Sequence, residues 1–292
     1  MAALGVAALV TGCEAQVWGM PADNVAQAPV VTPQATVPAP PQAPPVASLD
    51  GLDARTRQAT ADAAKSGADI EVVVLDRSTG QIVSNGANHP FPIASVVKLF
   101  IADDLLLQES QGATKLSAAD RKSLDIMLRS SDDSAAQNFW DRSGGNAIVA
   151  RVVARYGLAG TIAPYNGHWD VAQSTASDLV HYYSKLLDGS GGLPAEQAEV
   201  ILGNLAQSTP TGTDGYPQRF GIPEGLYAEP VAVKQGWFCC WGRSNQVHVS
   251  TGVIGPERRY VMAISSLQPV DAATARNTIT QAVKTMFPGG HI

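Results

Sequence analysis

Apolar positions recur with two different periods along this chain, and the change of period predicts a domain with both helices and strands. Residues 53–66 have helical spacing, whereas Ile70–Asp76 and Gln81–Ser84, joined by a turn at 77–80, have the composition of paired strands. Helical spacing extends through the middle of the chain, over residues 118–129, 134–140, 146–156, 176–187 and 195–206. Three further strand-like segments and a last amphipathic helix follow, at Val231–Trp241, Val247–Ile254, Tyr260–Ser265 and 271–286.

Strands at both ends of the chain, around a helical middle, predict how the domain is arranged. We expect an α/β fold of the α+β type, in which one antiparallel sheet built from both chain ends packs against helices and carries a helical lobe. One predicted helix, Ser95 to Glu109, is apolar on most of its sides and therefore belongs in the interior. Its Asp103 or Asp104 then needs a partner, because burying an unpaired charge is costly.

The first 49 residues differ in composition from the rest and predict a targeting segment followed by a tether. Residues 1–13 combine a short apolar run with Val10-Thr11-Gly12-Cys13, which resembles the end of a bacterial lipoprotein signal, where cleavage precedes a lipidated Cys13. A signal should open with positive charge, and no Lys or Arg precedes Arg55, so we expect the true start to lie upstream. We expect residues 14–49 to form a disordered Pro/Ala-rich tether, which leaves 50–292 as the folded domain. A soluble N-terminus with a chance cysteine is the alternative.

Composition excludes several classes of function. The chain has 292 residues, of which 16% are charged, and a formal net charge of −6, so we expect no basic face for nucleic acid. After the leader, no apolar run approaches the roughly 20 residues that span a bilayer, which excludes an integral membrane bundle. The five histidines have no metal-ligand spacing, and the sequence predicts neither a metal site nor a cofactor.

Candidate chemistry begins with Ser95 and Lys98, three residues apart at the start of the buried helix. At that spacing the two side chains share one face of the helix. Burial and the helix dipole both lower the pKa of a lysine in the first turn, so Lys98 can act as the base that activates the Ser95 hydroxyl. The alternative is structural, with Ser95 as a helix cap and Lys98 extending to solvent.

Two further motifs extend this pair to a known signature. Ser130-Ser131-Asp132-Asp133 lies 35–38 residues after Ser95, and Lys234-Gln235-Gly236 follows at the start of a predicted strand. Together they resemble the SxxK, SDN and KTG motifs of class A serine β-lactamases and penicillin-binding proteins. The stretches VVVLDRSTGQIVSNG and SSDDSAAQNFW are similar to the opening hairpin and the SDN helix of that family. The resemblance covers nearly all of residues 50–292 and implies a serine β-lactamase-like fold.

The resemblance also implies catalytic roles. Ser95 would be the nucleophile and Lys98 its proton acceptor, and Ser131 would relay a proton toward the leaving nitrogen. The backbone N–H groups of Ser95 and Trp237 would form the oxyanion hole, which is a large contribution in acyl transfer.

On the substrate-binding side the resemblance is weaker. Lys234 would supply positive charge for a substrate carboxylate, with Arg219 of the preceding loop assisting it. Gln235 replaces a hydroxyl residue that would contact the same carboxylate. Asp133 replaces the Asn of the family, and an ionised Asp can only accept hydrogen bonds. We also expect Asp133 to pair with Lys98, to raise the pKa of that lysine and so to weaken it as a base.

The carboxylate that hydrolyses the acyl-enzyme in this family has no match in the sequence. No Glu lies between Glu109 and Glu196, and the expected place, residues 166–169, reads NGHW. Gln137 stands where the family has an Asn that holds this Glu. Asp170 is the nearby carboxylate, and its shorter side chain is a poor substitute.

These matches and departures leave two functions open. We favour a lipid-anchored protein on the extracytoplasmic face of the cell membrane, whose β-lactamase-like domain is catalytically degenerate and binds a cell-wall-related ligand or is acylated slowly at Ser95. The alternative is an active β-lactamase or D,D-peptidase-like acyl-serine hydrolase that acts on β-lactams or peptidoglycan stem peptides. The sequence does not determine the oligomeric state.

The two cysteines that follow the third motif, and three of the tryptophans, each allow two structural interpretations. Cys239 and Cys240 are adjacent, and their Cα atoms are closer than in most disulfides, so two thiols on opposite faces of a strand are favoured over a vicinal disulfide. Trp169, Trp237 and Trp241 are candidates for the mouth of the cleft, and a position in the core is equally compatible with the sequence.

Overall fold

The computed structural model describes residues 49–292, so the predicted leader at 1–13, with Cys13, and nearly all of the tether at 14–49 lie outside the described residues. The helices are α1 (Leu52–Lys65), α2 (Lys98–Ser110), α3 (Ala118–Arg129), α4 (Asp133–Arg142), α5 (Asn146–Tyr156), α6 (Ala176–Asp188), α7 (Ala195–Leu205), α8 (Ile222–Gly225) and α9 (Ala272–Met286). The strands are β1 (Asp69–Asp76), β2 (Ile82–Ser84), β3 (Phe91–Pro92), β4 (Gln173–Ser174), β5 (Val231–Trp241), β6 (Asn245–Ile254) and β7 (Tyr260–Gln268).

Five of the strands form one sheet in the order β2-β1-β7-β6-β5, and every neighbouring pair in it is antiparallel. The central pair joins the two ends of the chain, with Val73 of β1 opposite Ala263 of β7. The prediction of an α+β fold with an antiparallel sheet built from both chain ends is therefore confirmed. β5, which carries the third motif, lies at an edge of the sheet, while β3 and β4 pair separately.

Both faces of the sheet are covered, because alternate residues of each strand point in opposite directions. On β1, Val72 and Val74 pack in an apolar cluster with α1 and α9, whereas Val73 packs with the helices on the other face. On that second face α2 lies at the centre of a helical lobe, where it contacts α3, α4, α5 and α7. No helix in the described part of the chain is long and apolar enough to cross a membrane.

Helix starts follow local capping chemistry. Ser117 and Asp120 form a reciprocal capping box at α3, and Asp132 caps α4 by accepting from the Ala135 amide at 2.7 Å. The predicted helix at 95–109 differs at its start, because Ala94–Val97 is a 3₁₀ turn and α2 begins at Lys98.

Two ion pairs hold the central helix in addition to its apolar contacts. Asp103, fully buried on α2, accepts hydrogen bonds from Arg155 and Tyr156 of α5. Asp104 accepts from two nitrogens of Arg151 at 2.7 Å. The expected partner for a carboxylate on this helix is thus present, and the helix that carries Lys98 is held to α5 by paired charges.

Candidate active site

Ser95 lies in the 3₁₀ turn that precedes α2, with 7% of its surface exposed. Because the turn runs directly into the helix, Lys98 sits one turn further along the same face, and its Nζ donates to Ser95 Oγ at 2.8 Å. Ala94, immediately before the serine, has φ of 49°, a left-handed conformation that costs energy in a residue with a side chain. The pair predicted from the sequence is therefore in hydrogen-bonding contact.

The second motif meets Lys98 from the end of α3. Lys98 Nζ lies 2.7 Å from the Ser131 carbonyl oxygen, 3.3 Å from Ser131 Oγ and 2.5 Å from Asp133 Oδ1. Lys98 is completely buried, which is incompatible with a lysine that extends to solvent. Ser131 also has a positive φ, 57°, and this turn directs both of its oxygens toward the lysine.

Two opposing effects, both expected from the sequence, set the pKa of Lys98. Burial lowers the pKa of this ammonium group below the usual lysine value, and the negative charge of Asp133 opposes the effect without overcoming it. The expected pair with Asp133 is present, and Asp133 raises the pKa as expected, although burial has the larger effect. Two-thirds of the Asp133 side chain is exposed, so water screens its charge, whereas Lys98 has no exposed surface.

Lys234 of β5 enters the same network. Its Nζ donates to Ser131 Oγ at 2.8 Å and to its neighbour's carbonyl, Gln235 O, at 2.9 Å. Burial holds the pKa of Lys234 well below its usual value, and the nearby positive charge of Lys98 lowers it further. Three successive contacts of 2.8, 3.3 and 2.8 Å link Ser95 Oγ to Lys234 Nζ, which keeps these atoms within about 9 Å of each other.

The third motif touches the nucleophile's backbone through Gly236. A Cβ at this position would lie 2.5 Å from the Ile93 carbonyl oxygen and 3.2 Å from the Ser95 nitrogen, so no side chain fits here. This close approach brings the edge strand β5 next to the turn that contains Ser95, and Ser95 and Trp237 line the same cavity. Two backbone N–H groups in this arrangement can stabilise a developing oxyanion.

Gln235 and Arg219, which the resemblance placed at the substrate carboxylate, do not line the cavity at Ser95. Gln235 is buried, and its Nε2 donates to the carbonyls of Gln218 and Phe220 at 3.1 and 2.6 Å. Arg219 lies between those two residues, and its side chain is exposed. Gln235 therefore holds the segment that precedes β5 in the chain. It points to the same face of the sheet as Val233, the face that packs against α1 and α9.

Trp169 occupies the region where the family's hydrolytic Glu was expected. The residue lies in a 3₁₀ turn, Trp169–Val171, and the centroid of its ring is 4.6 Å from Lys98 Nζ. Its indole Nε1 donates to Gln137 Oε1 at 3.1 Å. Gln137 thus holds an indole instead of a carboxylate, and Asp170, the next residue, is half-buried.

These groups surround a cavity of about 130 Å³. The residues that line it are Ala94, Ser95, Asp133, Trp169, Asp170, Asp214, Trp237 and Phe238. Asp214 was not predicted from the sequence. It lies in the turn TGTDGYPQ, and aspartate is common in turns because its side chain hydrogen-bonds to the nearby backbone. Nothing in the sequence therefore distinguishes Asp214 from an ordinary turn residue, and only the fold shows that it lines the cavity.

The Trp237 side chain, which forms one wall of the cavity, is held in place by neighbouring residues. Tyr216 stacks on the Trp237 ring with centroids 5.0 Å apart, and Asp214 Oδ2 accepts from the indole nitrogen at 3.0 Å. Tyr216 Oη lies 2.7 Å from Nε2 of the buried His248. Burial, together with the positive charge of Arg276, lowers the pKa of His248 to about 4, so the histidine is neutral at ordinary pH.

Two expectations about residues just beyond Trp237 are also resolved. Cys239 and Cys240 are joined by a disulfide across a cis peptide bond, whereas the sequence favoured two separate thiols. The pleat of a regular strand would have separated the side chains, but the ladder between β5 and β6 is irregular between Cys239 and Trp241. Trp241 packs against the core of the helical side and does not line the cavity, unlike Trp169 and Trp237.

Comparison with known proteins agrees with this architecture. The Beta-lactamase2 family, described as a β-lactamase enzyme family, matches residues 54–120. A β-lactamase from Chitinophaga pinensis superposes with a TM-score of 0.64 at 15% identity and covers 80% of this chain and 98% of its own. A protein named PBP-A superposes with a TM-score of 0.66 at 17% identity, over 81% of this chain and 95% of its own. At these identities the likeness shows a shared fold.

Closer relatives exist among mycobacterial proteins. The proteins named "Putative lipoprotein LppW" in Mycobacterium tuberculosis and Mycobacterium bovis are each 57% identical to this chain over an alignment of 297 positions, which covers 97% of this chain and 94% of theirs. The chain therefore belongs to the LppW family, whose domain has the serine β-lactamase fold.

Proposed function

We propose that this protein is a lipid-anchored, extracytoplasmic acyl-serine protein: β-lactams or acyl-D-alanyl peptides acylate Ser95, and the acyl group then leaves slowly. The observation that carries the proposal is the contact of 2.8 Å between Lys98 Nζ and Ser95 Oγ, beside a cavity that contains no positioned hydrolytic Glu. Acylation chemistry is supported by the geometry, and rapid turnover is not.

The acylation step uses the residues that surround Ser131. Ser95 Oγ forms a bond to the acyl carbon while the carbon–nitrogen bond of the ring or peptide breaks. The Ser95 proton passes to Lys98, and Ser131 returns a proton to the leaving nitrogen. A neutral Lys98 is required for the first transfer, and its lowered pKa supports that role. Lys234 donates to Ser131 Oγ at 2.8 Å and so holds this hydroxyl in place for the proton relay.

Slow release of the acyl group follows from the residues opposite Ser95. Deacylation needs a base that activates a water molecule, and the loss of such a base typically costs 10²–10⁴-fold in rate. The indole of Trp169, held by Gln137, is neither a base nor an acceptor, and it covers Lys98. We therefore expect an adduct on Ser95 that outlives an ordinary turnover.

One observation favours a second candidate, an active hydrolase. Asp170 lines the same cavity as Ser95, so its carboxylate is the available substitute for the missing Glu. If Asp170 performs this role, the adduct is short-lived in the wild-type protein and long-lived in Asp170→Asn.

The mass of the intact protein after incubation with benzylpenicillin tests the proposal. We expect a gain of one penicillin per chain in the wild-type protein, no gain in Ser95→Ala, and a lifetime in Asp170→Asn close to that of the wild type. Tryptic mapping would locate the added mass on the peptide that contains Ser95. The absence of any adduct, together with no hydrolysis of the drug, would contradict acylation. Nitrocefin turnover above about 10 s⁻¹, a median enzyme rate, would contradict slow release.

The lipid anchor has a test of its own. The VTGC sequence at residues 10–13 and the lipoprotein name of the relatives support lipidation of Cys13. In cells that express the full-length protein, we expect the wild type in the membrane fraction and Cys13→Ala in the soluble fraction, with Cys239→Ala as the matched control. Cys13→Ala that remains with the membrane would refute the anchor and leave the acylation chemistry untouched.

A further inference from the structure

We infer that the cavity over Ser95 selects acyl donors that carry a primary ammonium group close to the carbonyl that the serine attacks. This inference rests on the proposed function and names the substrate class of the same site. The residues that carry it are those that line the cavity outside the three motifs.

The charges around the cavity are unbalanced. Three carboxylates line it, those of Asp133, Asp170 and Asp214, and no Lys or Arg of the described residues does. Lys98 and Lys234 lie beneath it, fully buried, and Lys98 is paired with Asp133.

Two of the three carboxylates form no direct ion pair in the described part of the chain, and the buried Lys98 and Lys234 act on Asp214 only through space. Asp214 accepts hydrogen bonds from neutral donors, the Trp237 indole at 3.0 Å and the Tyr216 amide at 2.9 Å, and these leave its negative charge in place. Asp170 forms no ion pair within residues 49–292. A ligand cation in this cavity would be attracted by both carboxylates.

The rest of the lining is aromatic, which independently suits a cation. Trp169, Trp237 and Phe238 face the cavity, and aromatic ring faces attract ammonium groups within about 6 Å. The Trp169 ring already does so with Lys98 Nζ, at 4.6 Å. Carboxylates and aromatic rings together are the chemistry of ammonium recognition.

The small size of the cavity, and the presence of Ser95 in its lining, place the cation near the reacting carbonyl. At about 130 Å³ the cavity is small beside the 300–1,000 Å³ of typical ligand pockets, so it holds one group of a ligand. Ser95, only 7% exposed, lines this same space, and Lys98 is its sole hydrogen-bond partner in the described chain. The nucleophile and the two free carboxylates therefore act on the same few atoms of the ligand.

Binding of a matched pair of peptides tests the inference without requiring acylation. The probes are D-alanyl-D-alanine and its Nα-acetylated twin, which differ in the charge of the amino group next to the carbonyl that the serine would attack. Calorimetry with the Ser95→Ala protein at low ionic strength, where charges are little screened, should give about tenfold tighter binding of the ammonium peptide. That ratio corresponds to about 1.4 kcal/mol.

Charge-neutralising variants identify the carboxylates responsible. In the Ser95→Ala background we expect Asp214→Asn and Asp170→Asn each to reduce the ratio, and both together to remove it. The control is Asp53→Asn, which makes the same change in charge on the exposed surface of α1, on the other face of the sheet.

The inference is overturned if the two peptides bind equally, if neither binds, or if the preference survives both substitutions. The penicillin adduct of the wild-type protein is read separately. An adduct without a charge preference would refute the inference and keep the proposed function, whereas a charge preference without an adduct would do the reverse.

Discussion

The two halves of the cleft differ in how much of serine acyl-transfer chemistry they retain. The acylation half is a continuous hydrogen-bonded network of buried groups, formed by Ser95, Lys98, Ser131 and Lys234. The deacylation half consists of an indole held by an amide, beside one half-buried carboxylate, and comprises Gln137, Trp169 and Asp170. The contrast teaches that one fold can keep a buried network suited to the first half-reaction while an indole stands in the region expected for the hydrolytic Glu.

Removal of the proposed base should have the largest effect on the acylation half. In Lys98→Met we expect acylation of Ser95 by benzylpenicillin to slow by about 10²–10⁴-fold, the usual contribution of a general base. The fold should persist, because Asp133, the partner that loses its ion pair, is mostly exposed. A time course of the intact mass gives the rate, and circular dichroism checks folding. A loss smaller than about tenfold in a folded variant would show that Lys98 is not the base.

A carboxylate introduced into the deacylation half should restore what it lacks. In the double variant Trp169→Glu, Gln137→Asn we expect the adduct to decay at least about 10²-fold faster than in the wild type, because a base then faces the acyl carbonyl. The decay is measured by mass after free penicillin is removed. Trp169→Phe, which keeps a ring but loses the contact with Gln137, is the control and should not accelerate decay. An unchanged lifetime in the double variant would place the block elsewhere.

The wall behind Trp237 should make the domain sensitive to acid. His248 has its pKa lowered to about 4 in the folded protein, from 6.5, so the unfolded chain binds more protons between these values. Stability is therefore lost as the pH falls from about 6.5 to 4, by up to about 3 kcal/mol. Urea unfolding at pH 7, 5.5 and 4.5 measures the slope. We expect a shallower slope in His248→Gln and no change in His168→Gln, an exposed control.

The smallest expected change concerns the pH at which acylation reaches its plateau. Asp133 is negatively charged and raises the pKa of Lys98, against the larger lowering by burial. Asp133→Asn should lower that pKa further, so the neutral base forms, and the acylation rate levels off, at a lower pH than in the wild type. The pH dependence of the acylation rate tests this, with Asp53→Asn as a control. A shift to higher pH would contradict the assignment of Lys98 as the titrating group.

Much of the acylation half could be predicted from the sequence, because its residues belong to regular elements or to their ends. Ser95 and Lys98 are positioned by one helix start, and Lys234 by a strand whose bounds, Val231–Trp241, match the prediction. The α+β arrangement was predicted for the same reason, since long apolar helices and strands carry strong periodic signals, whereas the serine β-lactamase-like fold was implied by the resemblance of the three motifs.

The remainder of the cleft depends on tertiary contacts that no local pattern records. Asp214 and Trp169 lie in turns, where the surrounding fold and not a periodic pattern sets the direction of a side chain. Gln235 was expected at the substrate, but its amide pairs with two backbone carbonyls of the preceding segment. The net shift in the pKa of Lys98 could not be predicted for a related reason, since the sequence does not show that Asp133 is mostly exposed.

At Gly236 the sheet and the nucleophile's turn meet main chain to main chain, without a side chain between them. The distance between the strand and the turn is consequently independent of side-chain rotamers, since the two main chains are in direct van der Waals contact. Substitutions elsewhere in the cleft can change what binds there while leaving these two segments in register. Any residue larger than glycine at position 236 would instead push the strand and the turn apart, so in a saturation library this codon should tolerate no replacement that keeps Ser95 reactive.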